Sequence, residues 1–228
     1  MKGTVMKKTL SIFILSILIL ISLSACSKNE NRFPANGVLI IGDENHTSTI
    51  MNRYKENTKE HEVFSVKTGR FDQKRVLILN ESTAKAMIKA KIFRKRDHSS
   101  HSKPLDTLPS FPKESSLLFI NEEEKNIKSI EIEGKVIPVT YESDAWLGNN
   151  RNYGTLWYVI VAKNNVYKEI KVNETKIQLL HLKKSLGDEK PKMSTDNTLT
   201  NEYVKVRKLI KDFEEEVSVQ FVTIGERS

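Results

Sequence analysis

Val76-Leu77-Ile78-Leu79-Asn80-Glu81-Ser82 is the stretch of sequence that best indicates the fold. Its apolar run predicts a buried strand over residues 74–79. The Asn-x-Ser group that follows is typical of a helix start, because short polar side chains accept hydrogen bonds from unpaired backbone N–H groups. Apolar residues at helical spacing then predict a helix over residues 82–94, namely Ala84, Met87, Ile88 and Ile92. The sequence therefore predicts that strands and helices share one domain.

Short apolar runs between turn residues predict further strands on both sides of this unit. They lie at residues 37–41, 61–66, 117–120, 127–132, 135–141, 155–162, 166–172 and 217–224. Glu133-Gly134 and Asn164-Asn165 are predicted to be hairpin turns, and a turn is also predicted around Gly69. Residues 95–116 are rich in serine, proline and basic residues, which predicts a linker or a long surface loop.

Three more helices are predicted. The first covers residues 47–59, and the second begins near Glu174 and ends at Gly187, whose backbone freedom suits a helix C-terminus. The last carries a regular apolar stripe formed by Leu199, Tyr203, Val206, Ile210, Phe213 and Val217. Residues 37–228 are therefore predicted to form an α+β domain with mostly antiparallel strands and about four helices. A subdivision into residues 37–96 and 117–228 is the alternative.

The first 26 residues have the organisation of an export signal. Lys2, Lys7 and Lys8 precede an apolar run over residues 10–23, which is shorter than the roughly 20 residues that a transmembrane helix needs. Leu23-Ser24-Ala25-Cys26 then ends the signal and resembles the lipobox of bacterial lipoproteins. The resemblance covers residues 1–26 only.

This resemblance implies a defined maturation of the N-terminus. Cys26 would receive a diacylglyceryl group, the signal peptide (residues 1–25) would be removed, and residues 26–36 would carry the lipid and form a flexible tether. The protein would then be anchored to the cell membrane on its extracytoplasmic face, because two acyl chains hold a protein firmly. Ordinary secretion, with cleavage near Ser24 or Ala25 and a free thiol, is the alternative.

Cysteine content and charge narrow the classes of partner. Cys26 is the only cysteine, so the domain has no intramolecular disulfide and its stability depends on burial. The formal charge is +8, and three lysines of the signal account for +3 of it, which leaves +5 for the mature chain. This mild basic bias favours an anionic lipid surface or an anionic polymer of the envelope. An envelope protein is the other predicted partner, and no nucleic acid is expected.

Two groups of residues resemble enzyme or metal sites but lack the required context. Ser82-Thr83-Ala84-Lys85 and Lys67-Thr68-Gly69 resemble motifs of penicillin-binding proteins and serine β-lactamases, but their order is reversed and they are too close together. Asp97, His98 and His101 could approach a zinc ion, but the surrounding basic residues would repel a cation. We predict that Ser82 caps a helix and that the histidines lie in a solvated loop. No catalytic, cofactor-binding or metal-binding residue is predicted.

Two other features could belong to a binding surface. Aromatic residues cluster around residues 148–154, namely Trp146, Tyr153, Trp157 and Tyr158, and they could either bind a ligand or fill a sheet face. Trp157 and Tyr158 are adjacent in a predicted strand, so they are expected to point to opposite faces. Glu214-Glu215-Glu216 is acidic at the end of the last predicted helix, where the helix dipole disfavours negative charge.

These observations predict a membrane-anchored lipoprotein outside the cytoplasm. Its expected role is non-enzymatic: binding, protecting or scaffolding another molecule at the cell envelope. Two alternatives stay open, an envelope-directed hydrolase whose residues meet only in the fold and a small solute-binding receptor.

Overall fold

The computed structural model describes residues 34–98, 101–149, 157–187 and 198–225. Within these ranges the strands are β1 (Ala35–Gly42), β2 (Thr58–Phe71), β3 (Lys74–Asn80), β4 (Phe93–Asp97), β5 (His101–Pro104), β6 (Ser116–Phe119), β7 (Ser129–Ile132), β8 (Lys135–Ser143), β9 (Ala145–Leu147), β10 (Trp157–Ala162), β11 (Glu174–Leu186) and β12 (Ser218–Val222). The α-helices are α1 (Glu44–Tyr54), α2 (Glu81–Lys89), α3 (Asn164–Glu169) and α4 (Thr198–Ile210). The predicted α+β class with about four helices is confirmed.

Nine of the strands form one large sheet in the order β12-β1-β11-β2-β3-β10-β6-β8-β7. Two neighbouring pairs are parallel, β3 with β10 and β6 with β8, and the other pairs are antiparallel. The remaining three strands form a small antiparallel sheet in the order β5-β4-β9. The sheet is thus mostly antiparallel, as predicted, with the early strands β2 and β3 lying between the late strands β11 and β10.

Both faces of the large sheet are covered, because successive residues of its central strands are buried on alternate sides. In β3, Leu77 and Leu79 pack with residues of α2 and the small sheet. Val76 and Ile78 point the other way and pack with residues of α3 and of the β7–β8 hairpin. At the other end of the sheet, α1 and α4 cover β1 and β12. Apolar burial on two faces therefore stabilises the domain without a disulfide.

The predicted helix from Glu174 to Gly187 is wrong, because these residues form β11. The three-residue spacing of Ile177 and Leu180 suggested a helix, but β11 lies in the sheet between β1 and β2. Ile177 and Leu179 belong to the core on one face, whereas Leu180 belongs to the core on the other. A strand buried on both sides loses the apolar–polar alternation that would have identified it.

The predicted hairpin around Asn164-Asn165 is also wrong. These two residues begin α3, so the strand predicted over residues 166–172 does not form. β10 pairs in parallel with β3 and antiparallel with β6, so both of its neighbours come from earlier in the chain. The chain that leaves β10 must therefore cross to β11 rather than turn back beside it.

Two predicted irregular segments contain regular structure. Residues 95–116 were expected to be a loop, but they include the end of β4 and all of β5. Gly69 was expected in a turn, but it lies within β2, and the turn is formed by Asp72 and Gln73, both with positive φ. A Cβ at Gly69 would lie 2.2 Å from a methyl carbon of Ile132, so this glycine permits close packing of β7 on β2.

Several local predictions are confirmed. Asn80 caps α2 by accepting a hydrogen bond from the backbone N–H of Thr83. Glu133 and Gly134 have positive φ and connect β7 to β8, as a two-residue hairpin requires. α4 buries the predicted apolar stripe but ends at Ile210, and residues 211–217 form turns before β12.

Candidate functional site

A cleft of about 750 Å³ opens at one end of the large sheet. It lies where β1 and β2 end and where β3, β10 and β11 begin. The residues that line it are Ile41, Gly42, Asp43, Asn45, His46, Thr68, Gly69, Arg70, Arg75, Ile132, Glu133, Trp157, Asn173, Glu174, Thr175, Glu215 and Glu216. Its volume is within the range of sites that bind small molecules, about 300–1,000 Å³.

Arg70, Arg75 and Trp157 form one row across three adjacent strands. Arg70 is opposite Arg75 in the antiparallel β2–β3 pair, and Arg75 is level with Trp157 in the parallel β3–β10 pair. The guanidinium carbon of Arg75 lies 5.4 Å from the centre of the Trp157 ring. Two like charges directly opposite each other in a sheet are destabilising, so this pair is an unfavourable arrangement for the fold alone.

Three buried nitrogen atoms of the cleft residues have no hydrogen-bond partner among the described residues: Arg75 Nη1, Trp157 Nε1 and His46 Nδ1. A buried polar group without a partner costs about 1–3 kcal/mol, so most such groups in folded proteins are paired. Burial lowers the pKa of Arg75, and the positive charge of Arg70 lowers it further. The wall of the cleft therefore has unused hydrogen-bond donors beside concentrated positive charge.

The acidic turn, defined as residues Glu214, Glu215 and Glu216, contacts the arginines. Arg70 Nη2 donates to Glu215 Oε2 at 2.6 Å, and Arg75 Nη2 donates to the backbone oxygen of Glu214 at 2.8 Å. The acidic turn also lies against Gly42, whose added Cβ would be 3.1 Å from the backbone oxygen of Glu216. The acidic residues lie beyond the end of α4, and their placement is explained by the arginines rather than by the helix dipole.

The charges of the cleft are mixed. Five carboxylates and two guanidinium groups line it, so its formal charge is −3. Several carboxylates already accept bonds: Glu133 from Asn173 Nδ2 at 2.9 Å, and Asp43 from the backbone N–H of Asn45 at 2.9 Å. The buried cleft atoms that lack a hydrogen-bond partner are thus nitrogens, whereas the net charge of the residues that line the cleft is negative.

Lys67 lies near this cleft but has a different environment. Its side chain is buried, with 3% of the residue exposed, and Nζ donates to the backbone oxygens of Tyr167, at 2.9 Å, and of Ile170. These carbonyls are at the C-terminal end of α3, so the ammonium group anchors that helix to β2. Nζ also lies 4.5 Å from the centre of the Tyr167 ring. Burial lowers the pKa of Lys67.

The residues that resembled an acylating serine site are not assembled as one. Lys85 forms an ion pair with Glu81 at 2.6 Å, and Ser82 hydrogen-bonds to the side chain of Asn164. Lys67 donates to the backbone oxygen of Tyr167 in α3. The helix cap predicted at Ser82 is formed by Asn80 instead. Among Lys67, Ser82 and Lys85, only Lys67 is deeply buried, and its ammonium group contacts backbone carbonyls.

The histidine pair lies at the β4–β5 hairpin rather than in an open loop. Asp97 is opposite His101 in this hairpin and forms an ion pair with Lys103 at 3.0 Å. Within the part of the chain that the structure describes, no group of three or more His, Cys, Asp or Glu residues is arranged to hold a metal ion. Among the same residues, no helix has the length and apolarity needed to cross a membrane.

The predicted aromatic surface is divided by the sheet. Trp157 and Tyr158 point to opposite faces as expected: Trp157 packs partly against the core beneath α2, and Tyr158 is buried beneath α3. Of the three of these aromatics that the structure describes, only Trp157 lines the cleft. Tyr153 and the predicted lipid attachment site Cys26 lie outside the described residues.

The arginine row was not recognised from the sequence. The signal was Arg70-Phe71-Asp72-Gln73-Lys74-Arg75, in which basic residues flank a two-residue polar turn. With the turn set at Asp72-Gln73 rather than at Gly69, Arg70 and Arg75 would have been expected opposite each other. Trp157 could not be added to them from the sequence, because its pairing with β3 joins residues about eighty positions apart.

A solved 1.5 Å crystal structure of a lipoprotein from Bacillus anthracis is similar to this chain with a TM-score of 0.62 and 24% sequence identity, over 84% of this chain and 100% of that chain. At this identity the similarity shows the fold. A search of curated proteins found no match.

The family comparison matches residues 35–208, from the first residue of β1 into α4, to a family described as an uncharacterised lipoprotein family. The matched region excludes Leu23-Ser24-Ala25-Cys26, so the domain supports the lipoprotein class independently of the lipobox. The predicted class is confirmed: the chain belongs to this lipoprotein family.

Proposed function

We propose that this lipoprotein is anchored by Cys26 on the extracytoplasmic face of the cell membrane and that it binds a ligand in the cleft. The role is non-enzymatic binding at the cell envelope. The observation that carries the proposal is the cleft wall, where Arg75 and Trp157 have unused buried donors beside a second arginine. Natural folds rarely leave such groups unpaired, and a ligand with acceptor atoms would pair them.

The path of β1 supports a cleft that faces away from the membrane. The predicted tether, residues 26–36, overlaps the start of β1 at Ala35, and Gly42 at the other end of the same strand lines the cleft. Seven residue steps of extended strand span about 23 Å. A protein held by this tether at one end of β1 would thus present its binding site at the other end.

The anchor is tested by the Cys26→Ser variant of the full-length chain in cells. We expect the variant to leave the membrane fraction or to accumulate as an uncleaved precursor, because the thiol is the lipid acceptor. The Ser27→Ala variant is the matched control and should behave as the wild type. Normal processing of Cys26→Ser with unchanged membrane partitioning would refute the anchor.

The binding role is tested by analysis of what co-purifies with the full-length protein in mild detergent. We expect extraction and mass spectrometry to recover a small molecule from the wild type and from Lys89→Gln, but not from Arg75→Gln. Lys89 is an exposed residue of α2 outside the cleft. Equal recovery from all three proteins, or recovery from none, contradicts the proposal. Cleavage of the recovered molecule by the purified protein would instead favour the hydrolase.

A further inference from the structure

The electrostatic composition of the cleft restricts the chemistry of its ligand. The buried atoms without partners are nitrogen, and those of Arg75 and Trp157 are obligate donors. A ligand must therefore present acceptor oxygen atoms to this wall. The five carboxylates around the two arginines make the cleft negative overall, so a polyanion would be repelled. Acceptor oxygens are needed, but net negative charge is not.

The acidic turn shows how oxygen atoms approach the arginines in the free protein. Arg70 holds a carboxylate oxygen of Glu215, and Arg75 holds a backbone oxygen of Glu214, while Arg75 Nη1 stays unpaired. The Arg70–Glu215 pair is exposed, with 56% and 75% of the side chains accessible. An exposed ion pair contributes little free energy, so a better acceptor can replace Glu215. The carboxylate of Glu215 is thus a weakly held occupant of Arg70.

The unpaired nitrogens are buried. The acidic turn must therefore shift before a ligand reaches them. Residues 211–217 contain no regular secondary structure, and their internal bonds are short-range turns such as Glu216 N–H to Phe213 O at 3.0 Å. Phe213 stacks on His46 with ring centres 5.2 Å apart, which links the turn to α1. Displacement of this segment would free Arg75 Nη2 from Glu214 and remove Phe213 from the ring of His46.

We propose that the cleft binds a zwitterionic ligand of the amino acid or short peptide class. Its carboxylate bonds to Arg75 and Trp157 and replaces Glu215 on Arg70. Its ammonium group is attracted by the carboxylates of the cleft, among them Glu133 of the β7–β8 turn. Glu174 of β11 contributes less, because its carboxylate lies 3.9 Å from Lys67 Nζ. This inference rests on the proposed binding role and adds the chemical class of the ligand.

The test uses the full-length protein in detergent micelles with lysylalanine as the probe, read by the indole N–H resonance of Trp157. The chain has two tryptophans, so a Trp146→Phe variant assigns the two resonances. We expect lysylalanine to shift the Trp157 resonance saturably. Its C-terminal amide, which lacks the carboxylate, should bind about 10-fold more weakly or worse. Its N-acetylated form, which lacks the α-ammonium group, should also bind more weakly.

Variants of the charged residues give the second measurement. Arg75→Gln should abolish the shift. Glu215→Gln should tighten lysylalanine binding several-fold, because a competing carboxylate is removed and the fold is left intact. The matched control Lys103→Gln removes another exposed ion pair, with Asp97, and should leave the affinity unchanged.

Three outcomes would overturn the inference: no probe shifts the resonance, the amide binds as well as the acid, or tripolyphosphate binds more tightly than lysylalanine. If lysylalanine fails while a different molecule co-purifies with the wild type and not with Arg75→Gln, the ligand class is wrong and the binding role stands. If both experiments fail, the binding role fails as well.

Discussion

Lys67 and Arg75 lie on neighbouring strands of one hairpin, yet their cationic groups have opposite situations. The ammonium of Lys67 is buried and donates to two backbone carbonyls at the end of α3. The guanidinium of Arg75 faces a second arginine and keeps one buried nitrogen unpaired. A basic residue whose bonds are completed by the fold is structural, and one whose bonds are incomplete is a candidate for ligand binding. Basic charge alone does not distinguish the two.

The largest effect is expected from Lys67→Met. The variant leaves the carbonyls of Tyr167 and Ile170 without their donor in a buried site, which should lower the free energy of unfolding by about 2–4 kcal/mol. Denaturant unfolding of the full-length protein measures this loss. Lys89→Met, on the exposed surface of α2, should change stability by no more than about 0.5 kcal/mol. Equal losses in the two variants would show that Lys67 does not anchor α3.

The second effect is a loss of stability at high pH through Tyr167, whose ring lies beside Lys67. Burial raises the pKa of Tyr167 from 10.0 to about 12. Between these values the unfolded chain has lost the proton and the folded chain keeps it, so unfolding is favoured as pH rises. At about 1.4 kcal/mol per pKa unit, the loss should approach roughly 2–3 kcal/mol by pH 12. Urea unfolding at pH 9, 10 and 11 should show a shallower decline for Tyr167→Phe, and an identical decline would contradict this assignment.

A smaller effect on stability is expected from Arg75→Gln. The variant loses the bond to the backbone of Glu214 but also loses the repulsion from Arg70 and a buried unpaired nitrogen. These changes oppose each other, so the free energy of unfolding should shift by no more than about 1 kcal/mol in either direction. A loss as large as that of Lys67→Met would mean that Arg75 is a structural residue, and the comparison would fail.

The smallest effect is expected from Glu215→Gln. Its ion pair with Arg70 is exposed, and such pairs contribute about 0–1 kcal/mol. Thermal unfolding should detect little change, and the change should shrink further with added salt because exposed charges are screened. Lys103→Gln, which removes a comparable exposed pair, should give the same result. A loss above 2 kcal/mol in Glu215→Gln alone would show that the acidic turn is a fixed part of the fold.

Local signals in the sequence predicted the elements whose partners are near in the chain. The strand and helix around Asn80 and the turn at Glu133-Gly134 follow from their own residues. The apolar stripe was correct from Leu199 to Ile210, where one face of α4 is buried and the other is solvated, but Phe213 and Val217 lie beyond the helix. In each case the hydrophobic period or the turn chemistry decides the structure without reference to distant strands.

The failures lie where distant pairing decides the structure. β11 pairs along its edges with β1 and β2, and its two faces are buried in separate cores, one with Ile177 and Leu179 and the other with Leu180. Gln178 is buried on this strand and donates a hydrogen bond to Thr47 Oγ1 at 2.8 Å. No period within the segment reveals those neighbours. The candidate site has the same origin: Arg70, Arg75 and Trp157 become one row only through the β2–β3 and β3–β10 pairings. The sequence contained the residues of the site but not their adjacency.

The strand order also has a consequence for the newly made chain. β1 is one of the first elements to leave the ribosome, but both of its partners, β11 and β12, are among the last. Until residues 174–222 emerge, the apolar side chains of Val38, Leu39 and Ile40 have no sheet to join, and unpaired apolar strands promote aggregation. A nascent chain of this protein should therefore need a chaperone until synthesis is nearly finished, and fragments that end before β11 should be insoluble.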